Sequence, residues 1–300
     1  MGRRLAVTGA NGFVGRHIVK RAAERGFETL GLVRSEAGAR VVAEAGGQAV
    51  VCGDLRRTLE GCDAVVHLAQ IGAERGGETF ESVNVRGTER LAAAARDAEV
   101  PRVVLFSGLG VAHYGLSPRC TNPYFLSKLA AEVSLFRSVR SPVVFRPSYI
   151  VGPGSGFVAH MLRDMAAGRV EQVGDGSYRL HPIAVDDAAA CVLAVVAGAP
   201  REEPTVFDLV GPQPVSLSGF RDRLAAAARA VGRPARFEVR IVPVAEADAL
   251  ARGPGYRGMG RDELDCLLCD EVSDGALLER LLGRPLTPLD DALRAALPAA

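Results

Sequence analysis

The stretch "RRLAVTGANGFVGRHIVKRAAERGFETLGLVRS", residues 3–35, decides the fold. Leu5 to Thr8 is short, apolar and closed by a glycine, as a buried parallel strand is. Gly9, Gly12 and Gly15 follow. A helical pattern of Phe13, Val14, Ile18, Val19 and Ala22 then runs to Gly26, which stands where a helix end places glycine. "TLGLV" at 29–33 is the next strand. Glycines between a strand and a helix let the backbone turn tightly and approach a pyrophosphate, whose charge the N–H groups of the helix start hold. Three glycines in a plain connector would carry no such meaning; their place points to a dinucleotide.

The alternation continues outward. Apolar runs predict strands at 49–52, 64–68, 103–106 and 143–146, and helical patterns cover 36–45, 78–98 and 123–139. Strands alternating with helices imply an α/β fold with a doubly wound parallel sheet, whose ligands sit at the carboxyl ends of the strands. Chemistry-bearing residues fall there: Arg34 after the second strand, Asp54 after the third, "LAQ" (68–70) after the fourth and "SGLG" (107–110) after the fifth. A carboxylate after the second strand would accept from a ribose 2′-hydroxyl, whereas an arginine pairs with a 2′-phosphate. With Arg34 and Ser35 there, and no acid before Glu36, the expected cofactor is NADP, with NAD the weaker choice.

Composition narrows the class. The chain has 300 residues, 48% apolar and 24% charged, with a net charge of +1, so nothing marks it for nucleic acid or a membrane surface. The longest apolar stretch, "AAACVLAVVAGA" at 188–199, is too short to span a bilayer. The opening "MGRRLAVTGA" is read as leaving no room for a signal peptide, and six scattered cysteines make no disulfide framework, so a cytoplasmic location is expected. Of 36 basic residues only Lys20 and Lys128 are lysine, a usage expected of a GC-rich bacterial genome. A surviving lysine is therefore informative.

Lys128 stands in "NPYFLSKLAAE", residues 122–132. Asn122 is a good N-cap and Pro123 a good first helical residue, which puts Tyr124 and Lys128 one turn apart on one face. A phenol titrating near pH 10 is a poor proton-transfer group at neutral pH. A neighbouring ammonium favours the phenolate and brings it toward the working range. This pair is the expected catalytic centre.

With these residues in view, the chain resembles the short-chain dehydrogenase/reductase superfamily in its extended or atypical branch, the NAD-dependent epimerase/dehydratase family. The likeness rests on "TGANGFVG" (8–15), "GDL" (53–55), "VVHLAQ" (65–70), "NVRGT" (84–88), "PYFLSK" (123–128), "FRPSYIVGPG" (145–154), "HPIAVDDAA" (181–189) and "FDLVGPQPVSL" (207–217), in that order over roughly residues 5–220. The resemblance implies a Rossmann sheet with a smaller, interleaved C-terminal substrate lobe. It makes residues 1–154 and 179–212 the dinucleotide-binding domain, and 155–178 with 213–300 the lobe. It implies catalysis by Tyr124 and Lys128, with Lys128 also on the cofactor ribose. It also assigns cofactor contacts to Gly9, Asn11, Gly12, Phe13, Val14, Gly15, Arg34, Asp54, Leu55, Leu68, Ala69, Gln70, Asn84, Pro147 and Ser148. Asp54 would accept from the adenine amine, Asn84 would tie its helix to the sheet, and Pro147 and Ser148 would line the nicotinamide amide.

The chain departs from the family at one catalytic position. The usual serine or threonine past the fifth strand is Gly108 here, with Ser107 one residue earlier. Ser107 serves only if the strand end is bent, because adjacent strand residues point to opposite faces. His181 reads as structural, and Asp186 and Asp187 as acids opening a helix. Cys266 and Cys269, with leucines between and no second ligand pair, read as buried helix thiols, and no metal is expected. "GSGFVAHMLRDMAAG" (154–168), 261–283 and 288–297 read as helical and "FEVRIVPV" (237–244) as a strand, while "ARGPGYRGMGR" (251–261) reads as a linker rather than a lid.

Three functions follow. The leading one is NAD(P)-dependent interconversion of a ketone and a secondary alcohol on a small polar metabolite. The others are epimerisation or dehydration of a sugar or natural product without net redox change, and a non-catalytic NADP-binding scaffold or redox sensor. A small molecule is the expected partner, with a homodimer possible and neither nucleic acid nor membrane involved.

Overall fold

The computed structural model describes residues 3–51, 53–113, 122–200 and 203–297. Its first half is β1 (Arg4–Thr8), α1 (Phe13–Glu24), β2 (Glu28–Val33), α2 (Glu36–Glu44), β3 (Gln48–Val51), α3 (Leu55–Leu59) and β4 (Ala64–His67). It continues through a π-helical turn at Glu81–Val85 into α4 (Arg86–Asp97), then β5 (Val103–Phe106), α5 (Pro123–Ser138) and β6 (Pro142–Pro147). The second half holds β7 (Ile150–Val151), α6 (Gly156–Ala166), β8 (Arg169–Val173), β9 (Arg179–Leu180), β10 (Ile183–Ala184) and α7 (Val185–Ala197). After β11 (Thr205–Leu209) come β12 (Val215–Ser216), α8 (Leu217–Ala230), β13 (Glu238–Val242), α9 (Val244–Ala251), α10 (Arg261–Leu267), α11 (Ala276–Leu282) and α12 (Leu289–Ala296).

The main sheet has seven parallel strands in the order β11-β6-β5-β4-β1-β2-β3. Both faces are buried, because alternate residues of each strand enter different cores. Val7, Val66, Val104 and Phe145 pack with α1 and α7, whereas Ala6, Val65, Leu105 and Val144 pack with α3, α4 and α5. This explains why the strands read as continuous apolar runs. The strand order reverses between β1 and β4, the point at which sheets of this kind take their ligands.

The lobe is built from α6, α8 and α12 around Phe220 and Leu224, beside a smaller cluster where β8 pairs with β13 and packs on α9 and α10. Two expectations fail in this region. Residues 261–283 are two helices, since the backbone leaves α10 so that Glu271 N donates to Arg179 O (2.8 Å) and Asp270 pairs with Arg179. Nor does the tail stay in the lobe: Leu278 and Leu286 join the core under the main sheet, where α11 packs on α7.

The linker expected at 251–261 is folded as well. Tyr256 and Met259 exchange backbone hydrogen bonds at 2.9 Å, and Tyr256 is buried. Arg75, from the loop after β4, reaches across to Gly258 O (3.3 Å) and Glu263 (2.9 Å) and so joins the sheet domain to the lobe. Among the described residues no helix is long and apolar enough to cross a membrane.

The first turn depends on close approach. A Cβ on Gly15 would stand 2.2 Å from Gly9 O, so only glycine lets α1 lie against the β1 turn. Gly15→Ala should therefore lower unfolding free energy by about 1–3 kcal/mol, the cost of overpacking, read as an earlier urea midpoint at unchanged m-value.

Candidate active site

A cleft of about 660 Å³ opens at the reversal point, within the range of small-molecule sites. Thr8, Gly9, Asn11 and Gly12 form one wall, and Leu68, Ala69 and Gln70 another; Arg34, Gly53 and Leu55 stand at the far end. Gly9 has a φ of 66°, and a Cβ there would meet Ala69 N at 3.0 Å. The turn then leads into α1, whose start has no capping side chain. Bare backbone at a helix N-terminus suits a pyrophosphate. Phe13, Val14 and Gly15 are the first turn of that helix. The residues present fit a dinucleotide.

Several assigned residues do other work. Asp54 caps α3, its Oδ1 accepting from Arg57 N at 3.0 Å, and it is Gly53 and Leu55 on either side that line the cleft. Arg34 is exposed at the cleft edge and pairs with Glu78, an acid from the loop after β4 that the sequence did not place there. Asn84 is buried with its amide fully used. Its Oδ1 accepts from Ile71 N (2.9 Å), and its Nδ2 donates to Ile71 O (3.1 Å) and Ser127 Oγ (3.0 Å). It holds the cleft loop and α5 in register instead of facing the cleft.

His67 is a lining residue that sequence reasoning missed. Thr8 Oγ accepts from Leu68 N and Ala69 N, so its proton goes to His67 Nδ1 at 2.7 Å. Burial, with Lys128 adding to it, lowers the imidazole to about 3, so the ring is neutral and carries its proton on Nε2. The motif "VVHLAQ" was the signal available for it.

α5 begins as the sequence indicates, with Asn122 Oδ1 accepting from Phe125 N at 3.0 Å and Pro123 in the first turn. Lys128 is buried, donating to Phe106 O (2.6 Å) and to Gln70 Oε1. Burial lowers its amine to about 7, against the opposing charge of Glu132. Tyr124 is half-buried between Phe80 and Phe125, with ring centroids at 5.8 and 5.3 Å. Burial drives its phenol up, and Cys266 and Glu271 push the same way. In the protein alone, burial thus works against the lowering expected from the neighbouring ammonium.

Ser107 makes no hydrogen bond to Tyr124. Its N donates to Phe145 O (2.7 Å), and its Oγ is buried with no partner among the described residues. Gly108 is the residue that faces the phenol, since a Cβ there would lie 3.8 Å from Tyr124 Oη. Past β6, Ser148 Oγ accepts from His181 N at 3.1 Å. His181 is buried, and its Nδ1 accepts from Ser273 N at 3.2 Å. Cys269 donates to Asp265 O, and Cys266 accepts from Asn122 at 3.4 Å. No cluster of metal-ligating residues occurs among the described residues.

Glu271 is the second site residue the sequence concealed. It is buried beside Ser148, whose hydroxyl bonds its carboxyl, and it lies close enough to Tyr124 and Tyr149 for its charge to raise both phenols. Burial lifts Glu271 itself to about 7.

This fold, with a glycine-lined dinucleotide cleft whose Gln70 is held by the buried Lys128 of the Tyr124 helix, defines an NAD-dependent enzyme of the short-chain dehydrogenase/reductase type. The chain belongs to the NAD dependent epimerase/dehydratase family, whose model matches residues 5–209. It is 31% identical over 240 residues to 4-hydroxy-2-methyl-3-oxo-4-farnesyl-3,4-dihydroquinoline-1-oxide ketoreductase of Stigmatella aurantiaca, covering 72% of this chain and 71% of that one. It is 30% identical over 292 residues to dTDP-4-dehydro-6-deoxy-D-allose reductase of a Streptomyces species, covering 79% and 88%. UDP-glucuronic acid 4-epimerase of Bacillus cereus, solved with UDP-glucuronic acid and NAD, shares the fold at a TM-score of 0.75 and 18% identity, covering 97% of each chain.

The Glu271 carboxyl makes stability depend on pH. Its folded value of about 7 lies above the ordinary 4.5, so its contribution is fully present below pH 4.5 and is lost as pH rises through about 7. Glu271→Gln should accordingly melt higher than wild type at pH 8, with the gap closing at pH 5. Thermal melts of both proteins at the two pH values check this.

Proposed function

We propose that this protein is a ketoreductase that converts a ketone to a secondary alcohol with NADPH. The observation that carries this is the placement of Tyr124 one turn before the buried Lys128 on α5, with its hydroxyl facing the end of β5 at Gly108 and Lys128 tied to Gln70 of the cleft. A phenol that holds its proton can give it to an alkoxide forming at a carbonyl. When bound, the cofactor supplies hydride to the carbonyl carbon. Tyr124 gives its proton to the carbonyl oxygen. Lys128, anchored on Phe106 O, holds the ribose hydroxyls and keeps the phenol oriented through the shared turn of α5. The names of the two curated relatives, both reductases, support net reduction over epimerisation. One NADPH consumed per product is the stoichiometry of this reading, and turnover without added cofactor is that of the other.

Tyr124→Phe should lower kcat by about 10²–10⁴-fold, the usual worth of a positioned acid, with NADPH affinity nearly intact by fluorescence titration. Retention of wild-type turnover would remove Tyr124 from the chemistry.

Arg34 supports the choice of NADPH, because its guanidinium stands at the cleft end opposite the glycine turn. Binding a 2′-phosphate requires Arg34 to exchange its Glu78 partner for the phosphate, and a charge-assisted contact of this kind is worth about 1.5–3 kcal/mol. Arg34→Ala should weaken NADPH about ten- to a hundred-fold and leave NADH almost unchanged in parallel calorimetric titrations. Equal losses for both cofactors would make Arg34 an ordinary surface residue.

A further inference from the structure

The lobe contains a second cavity, of about 340 Å³, apart from the cofactor cleft. Phe157, Met161, Val170, Leu217, Tyr256 and Met259 supply most of its wall, and Leu267 closes it from α10. Phe157 packs on Tyr149 with ring centroids 4.7 Å apart, and Tyr149 in turn lies near enough to Tyr124 to feel its charge. Cys266, the neighbour of Leu267, bonds the cap residue of α5. Tyr149 and the Cys266–Asn122 bond thus connect the cavity wall to the helix that carries Tyr124.

The charged groups on its wall are spent on one another. Arg257 Nη2 lies 2.7 Å from both oxygens of Asp164. Arg221 pairs with Asp222 at 2.8 Å and with Gln172 at 2.5 Å. Glu171 accepts from Tyr256 Oη (3.1 Å), Arg169 (3.1 Å) and Arg240 (3.0 Å). A nucleotide diphosphate would have to displace the acids that hold these arginines, whereas an apolar chain leaves the pairs in place. Walls of this kind reward apolar surface alone.

We propose that the cavity receives an apolar chain of the substrate, at least several methylenes long, while the ketone it carries lies at Tyr124. This rests on the ketoreductase reading and names its substrate class: amphiphilic ketones with an unbranched or prenyl tail. The wall fixes length, since residues on α6, β8 and the 256–259 turn close it on three sides.

The test is a series of 2-alkanones from 2-butanone to 2-dodecanone, assayed with NADPH, together with calorimetric binding of decan-1-ol and of dTDP. Each added methylene should raise kcat/KM about three- to four-fold, which is the factor for burying one CH₂, until the cavity is full. Met161→Trp, which fills the cavity, should shorten the chain length at which the gain stops and weaken decan-1-ol binding in step. Ketones reduced at rates independent of length, with no decan-1-ol binding, would overturn the tail site and leave the ketoreductase standing. Decan-1-ol binding that Met161→Trp abolishes, with no ketone reduced, would uphold the tail site and overturn the ketoreductase. Binding of dTDP that Met161→Trp abolishes would assign the cavity to a nucleotide instead and overturn the tail.

Discussion

The buried side chain of Asn84 ties together three segments that pack against one another at the site. One amide accepts from and donates to Ile71, and donates to Ser127, so the loop after β4, the π-helical turn before α4 and the second turn of α5 are fixed together. Ser127 lies between Tyr124 and Lys128 in sequence, so anything that moves Asn84 moves both. The π-helical turn is part of the same arrangement. Thr88 Oγ returns a 2.7 Å bond to Asn84 O, which steadies the widened turn that places the amide. Losing this side chain would leave buried polar partners unsatisfied on two elements at once, a larger penalty than that of one missing hydrogen bond.

The sheet and its cleft were legible because their signals are local. A strand, a glycine turn and a helix need only adjacent residues to declare themselves, and Gly12 and Gly15 answer to contacts within their own turn. The cap of α5 was legible for the same reason, as Asn122 and Pro123 speak only for the next few residues. Asp54 shows the limit. A short polar residue after a strand can cap a helix or meet a ligand, and nothing local separates the two, so the five-residue α3 came as news.

What stayed hidden depends on residues distant in sequence. Glu271 reads as one acid in an acidic stretch until the break after α10 turns it beneath Ser148. The surroundings of Tyr124 were hidden likewise: the lysine one turn away was visible, whereas the burial and the acid from the lobe that raise the phenol were not. Spacing reports which side chains are neighbours on a helix. It does not report how much water they keep, and water decides the protonation state. The 251–261 segment follows the same rule, since its glycines and arginines look loose until Glu171, Asp164 and Arg75 are brought to them.

The return of α11 to the main sheet bears on how the chain acquires its structure. Leu278 and Leu286 complete an apolar face whose other members lie on β1, α1 and α7, so strands of the first half wait for side chains made long after them. The sheet edge at β11 and the lobe helices are interleaved with this segment, and neither unit can finish alone. Until residues near 286 have emerged from the ribosome, part of the face on α7 and β11 stays open to water and to other unfolded chains. Such a topology favours chaperone protection during synthesis over stepwise folding of one domain and then the next.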